Sequence, residues 1–191
     1  MSASAETFDY LAVFFSIILG LAVTEILQGF RRLLIKRDQV VLYLPALLWA
    51  GVLLAMQAQA WWAMFGLRGV PEWTFGMYAI VLLQTILFYM VAGLALPDLE
   101  GDGELDMQAA YMAQARPFFL LMVGVVVISL LKDVVIHGEL PGSANLAFHV
   151  GFAVTAIIAA MTRNAWYHRI NALLATVLFA VYIGALFDRI G

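Results

Sequence analysis

The chain predicts an all-α, polytopic membrane bundle of six transmembrane helices, and three observations carry that prediction. Of its 191 residues 64% are hydrophobic and 12% are charged, against about half and about a quarter in soluble globular domains. Mean hydropathy is +0.95. Six apolar stretches each approach the length of about 20 residues that a helix needs to cross a bilayer, and little chain remains between them. Strands are excluded by length and continuity, since barrel strands alternate and run about ten residues.

The spans follow in order as Tyr10 to Phe30, Leu42 to Phe65, Phe75 to Leu96, Phe118 to Ile136, Leu146 to Met161 and Ile170 to Phe187. The fifth is short, and suffices if Asn145 and Thr162 sit in the headgroup layer. The start, Met1 to Glu6, has no basic region before the apolar run, so it reads as a retained first helix rather than a cleaved signal peptide. One transmembrane domain results: a first half over 10–96, an acidic connection over 97–117 and a second half over 118–188. Within the connection, Met107 to Ala115 is helix-prone and Arg116-Pro117 is a breaker, which predicts a short interfacial helix before span four.

Lysine and arginine set orientation. With the N-terminus outside, the inner side holds Arg31, Arg32, Lys36, Arg37, Arg116, Arg163 and Arg169, and the outer side Arg68, Lys132 and Arg189. Seven against three predicts N-out, C-out, with residence in a plasma membrane, the bacterial inner membrane above all. Trp61, Trp62 and Trp73 then lie at the outer interface and Trp166 and Tyr167 at the inner one, as an aromatic belt requires.

Short matches suggest a 3+3 inverted repeat. Leu82 to Phe88 with Gly93 resembles Leu173 to Phe179 with Gly184, Phe14-Phe15 and Gly20 resemble Phe118-Phe119 and Gly124, and Ala60-Trp61-Trp62 resembles Ala165-Trp166-Tyr167. Halves of three spans lie oppositely in the membrane, the arrangement of many secondary transporters. Small residues recur every four positions at Ser16, Gly20 and Thr24, at Gly151, Thr155 and Ala159, and at Ala180 and Gly184. Such ridges let helix backbones approach, within one chain or between chains, and place spans one, five and six inside the bundle.

Polar residues within spans are the candidates for function. Glu25 leads, because an intramembrane carboxylate costs several kcal/mol unless paired. Helical spacing puts Gln28 and Arg32 on nearly the same face, offering a Glu25, Gln28, Arg32 ladder for a proton or cation. Gln84, near the centre of span three, and Gln57, in the outer half of span two, suit hydrogen bonding to a solute or another helix. A second group, Lys132, Asp133, His137 and His149, gathers around the loop between spans four and five. Its spacing matches no metal site, so no metal is expected. The acidic loop Asp98, Glu100, Asp102, Glu104, Asp106 imitates the start of a calcium loop, but position twelve is Ala109 where a bidentate Glu is needed.

Cysteine is absent, which removes disulfides, iron–sulfur clusters and thiolate zinc sites. A net charge of -3 points to no nucleic-acid partner. No phosphate loop, nucleophile elbow or HExxH is present, so neither an enzyme nor a cofactor is expected. The partners expected are the lipid bilayer and either a second copy or another membrane protein. Three functional readings follow, led by a transporter or channel for a small solute, ion or proton working through Glu25. A non-transporting membrane subunit or scaffold acting through helix contacts is the second, and a quinone- or haem-binding membrane protein the third.

Overall fold

The computed structural model describes residues 3–98 and 105–186. Six helices run through them: α1 (Ala3–Ile35), α2 (Leu44–Met64), α3 (Phe75–Gly93), α4 (Met107–His137), α5 (Ser143–Met161) and α6 (Ala165–Leu186). All six are long and apolar enough to cross a membrane. Glu100, Asp102, Glu104, Phe187, Arg189 and residue 188 lie outside the described residues.

Contacts between helix ends show that the helices run alternately up and down. Arg32 and Asp98 meet near the ends of α1 and α3, while Asp9 near the start of α1 pairs with Arg68 just beyond α2 at 2.9 Å. Tyr182 late in α6 donates to Asn145 early in α5. Loops 36–43, 94–98 and 162–164 therefore share one end, called here the basic end for its arginines. Around the bundle the packing order is α1, α3, α4, α5, α6, α2 and back to α1.

Each element has a local cause. Buried Phe8, Phe15, Leu19, Ala22, Ile26, Gly29 and Leu33 form one stripe of α1 at three- and four-residue spacing, the signature of a helix packing on one side. It packs chiefly on α3, and at Gly29 the approach is so close that a Cβ there would lie 2.8 Å from Leu96 Cδ1. Pro45 opens the first turn of α2, where its missing N–H costs nothing. Thr74 caps α3 by accepting from Met77 N, and Gly138, at φ 77°, ends α4 in the left-handed conformation glycine tolerates best.

Three expectations change. The break at Arg116-Pro117 is absent, and the separate interfacial helix is instead the first part of α4. Met107, Tyr111 and Ala115 are buried at four-residue spacing along it, so packing against the bundle outweighs the one helical hydrogen bond that proline removes. The second change is a strand pair in an otherwise helical chain: β1 (Val40–Val41) lies parallel to β2 (Leu105–Asp106), with Val40 opposite Leu105. That pairing ties the acidic connection to the loop after α1. Third, the most enclosed helix is α2, and α5 is the least enclosed. Helices α1 and α6 are no more enclosed than α4, so spans one, five and six are not set apart as the interior.

The halves also pair differently. Helix α1 packs extensively on α3, whereas the backbones of α4 and α6 scarcely approach each other. Ala60-Trp61-Trp62 closes α2 and Ala165-Trp166-Tyr167 opens α6, where a 3+3 repeat would relate α2 to α5. The inverted repeat finds no counterpart in how the helices pack.

Candidate functional site

Trp49 occupies the middle of the basic half of the bundle. Its ring meets Phe118, Phe119 and Phe152 edge-on at 5.2–5.9 Å, tying α2 to α4 and α5. Edge-to-face contact sets the positive rim of one ring on the negative face of the next. Three large rings pack against the indole at this level.

Beside this plug lies a buried polar network. His168 is fully buried; its Nε2 lies 3.0 Å from the Thr162 carbonyl and its Nδ1 2.9 Å from the Tyr111 hydroxyl. A carbonyl can only accept, so Nε2 carries the hydrogen, and in the neutral ring the Tyr111 hydroxyl donates to Nδ1. Tyr111 in turn packs against Tyr43 at 5.2 Å between ring centres. The first turns of α4 and α6 and the residue before α2 are thus held together by one histidine and two tyrosines.

Tyr43 is only 4% exposed, yet its hydroxyl has no hydrogen-bond partner. Burial pushes this phenol above its ordinary range, and the nearby Arg169 guanidinium, out of hydrogen-bonding geometry, partly opposes that. The group is therefore a neutral O–H donor at physiological pH. A cavity of about 480 Å³ opens next to it, lined by Val41, Leu42, Tyr43, Asp106, Gln108 and Arg169. Asp106 caps α4: its Oδ1 accepts from Gln108 N at 2.8 Å and Ala109 N at 3.1 Å.

The residues expected from sequence to form a site do not converge. Glu25 is half-buried on the flank of α1 and Gln28 is exposed. The ladder to Arg32 is not formed, because Arg32 pairs instead with Asp98 at 3.5 Å; the close packing of Gly29 on Leu96 brings that segment to it. Gln57 is 1% exposed with neither amide atom partnered, and Gln84 is buried in α3. None of these lines the cavity.

The second expected group is divided as well. Half-buried His149 bridges Asn145 O at 2.9 Å and Ser129 Oγ at 3.2 Å between α5 and α4, whereas His137 is exposed. Lys132 and Asp133 are half-buried neighbours on α4. Among the described residues no three potential metal ligands come together.

The small-residue ridges lie mainly at the surface. Gly20, Gly151 and Gly184 are exposed with nothing within 4 Å of an added Cβ, and Ala180 is exposed too. Ser16 accepts from Trp61 Nε1 at 3.4 Å, Thr24 bonds the Gly20 carbonyl of its own helix, and the Thr155 carbonyl accepts from Tyr167. Only Ala159 is fully enclosed. These ridges therefore do not mediate the close contacts within the chain; Gly29 does.

Sequence reasoning missed Tyr43, Trp49, Tyr111, His168 and Asn171. One signal existed: His168, Asn171, Ala172 and Ala175 recur at three- and four-residue spacing and form the buried face of α6. No family model, curated protein or solved structure matches this chain.

Proposed function

We propose that the chain is a non-transporting subunit of a membrane assembly, with its basic end on the cytoplasmic side of a bacterial inner membrane, and that α1 recruits another membrane protein. The observation that carries this reading is the outward face of α1. Gly20, Thr24 and Gln28 are exposed at four-residue spacing, and Glu25 stands half-exposed beside them without an ion-pair partner among the described residues. An acid in an apolar span is costly until it is paired, and an uncovered glycine admits a second backbone. The occupant is a transmembrane helix of another chain carrying a basic or amide donor at that depth. A second copy meeting through this same face would oppose two Glu25 carboxyls.

A photo-crosslinking side chain placed at Gly20 or Thr24 in native membranes tests the proposal. We expect one discrete heterologous adduct, weakened by Glu25→Gln and absent from Leu83 and Ile86 on the exposed side of α3. Equal labelling from all four positions, or adducts of dimer mass alone, would overturn it.

Passage of a small solute or ion is the second reading, favoured by Gln57, whose unpartnered amide lies deep in α2. Packing around Trp49 counts against a continuous path. Proton or cation flux in proteoliposomes that Glu25→Gln and Gln57→Leu both abolish would replace the subunit reading with this one.

A further inference from the structure

The cavity at the basic end joins features that the α1 reading does not use. Arg169 and Asp106 carry opposite charges on the same cavity, yet they form no ion pair with each other. Asp106 commits Oδ1 to both cap bonds, which leaves Oδ2 for another donor. The Tyr43 hydroxyl, on a residue 96% removed from solvent, is a donor without an acceptor. A separated cation and anion plus one unspent O–H are complementary to a ligand that carries both a phosphate and an ammonium.

Position identifies the source of that ligand. The lining residues stand just before α2, at the start of α4 and near the start of α6, the level where spanning helices leave the hydrocarbon. Val41 and Leu42 on the wall are more than half exposed, as is neighbouring Leu44, and would seat glycerol and the first acyl carbons. The volume of about 480 Å³ falls in the range of about 300–1,000 Å³ usual for small-ligand sites. We infer that this cavity binds the headgroup of a primary-amine zwitterionic phospholipid, with the phosphate on Arg169 and Tyr43 and the ammonium on Asp106. A trimethylated amine lacks the N–H that the carboxylate accepts, so a choline headgroup binds more weakly, and an anionic glycerol headgroup leaves Asp106 unsatisfied.

Native mass spectrometry of the delipidated full chain, offered dioleoyl phosphatidylethanolamine, phosphatidylglycerol or phosphatidylcholine, tests this. The wild type is expected to retain the ethanolamine lipid about fivefold more than either other lipid. Asp106→Asn preserves the helix cap and should erase that preference; Tyr43→Phe should lower retention and leave the preference; Arg169→Gln should lower retention of all three. Equal retention of the three lipids by the wild type overturns the assignment, as does a preference that survives Asp106→Asn. Displacement of the lipid by equimolar glycerophosphoethanolamine also overturns it, because a soluble zwitterion would then be the ligand. The Arg169→Gln arm stands independently should Asp106→Asn fail to fold. None of these outcomes bears on crosslinking at Gly20.

Discussion

At the scale of single residues, similar side chains play opposite parts according to what faces them. Gly29 lets α1 touch Leu96, whereas Gly20, nine positions earlier, faces open space. Gly29→Ala should therefore destabilise the chain by about 1–3 kcal/mol, the usual cost of overpacking. Gly20→Ala should leave the isolated chain unchanged or slightly firmer, by up to about 1 kcal/mol, because alanine is the better helix former. Thermal unfolding of the two variants in the same detergent checks the contrast, and equal losses would refute the close contact. Gln57 presents a second test. Both amide atoms are buried without partners, so Gln57→Leu removes a desolvation cost of about 1–3 kcal/mol and should raise the unfolding temperature. Sequence alone placed Gln57 within a span but could not say that nothing would meet its amide, since partners come from other helices.

At the scale of elements, α4 shows how packing overrides a local breaker. Arg116-Pro117 reads as the end of a surface helix, but Met107, Tyr111 and Ala115 bury one face of the preceding turns, and a single missing hydrogen bond is a small loss beside that burial. Asp106 then becomes the start of the helix. Asp106→Ala should cost about 0.5–2 kcal/mol and speed amide exchange over residues 107–110, while Asp106→Asn should not; unchanged exchange in both would show the cap to be idle. The α4–α6 link depends on the Tyr111 hydroxyl. Tyr111→Phe leaves His168 Nδ1 buried without a donor, an expected loss of about 1–3 kcal/mol, readable as a lowered unfolding temperature that His168→Phe in the same background partly restores.

At the scale of the whole molecule, aromatic packing is concentrated in the basic half, and the polar residues of α1 lie on the outer side of the bundle. Trp49 packs with its three phenylalanines in the basic half, while half-buried Glu25 and exposed Gly20 of α1 lie outside its buried stripe. Reconstituted protein should accordingly show proton and cation leak no greater than empty liposomes, and a leak abolished by Glu25→Gln would reverse that expectation. Six helical spans and a concentration of arginine near one set of loops were legible in the amino-acid sequence, because apolar length and charge placement act locally, without reference to neighbours. The identity of the core was not. Whether a ridge of small residues faces a neighbouring helix or the lipid depends on how each helix is rotated about its axis. In a chain apolar on nearly every side, hydropathy barely constrains that rotation. Only the tertiary structure decided that Gly29 rather than Gly20 makes the close contact, that Arg32 meets Asp98 rather than Glu25, and that His168, Tyr111, Tyr43 and Arg169 meet at the basic end. Each depends on residues far apart in the chain being brought together by packing.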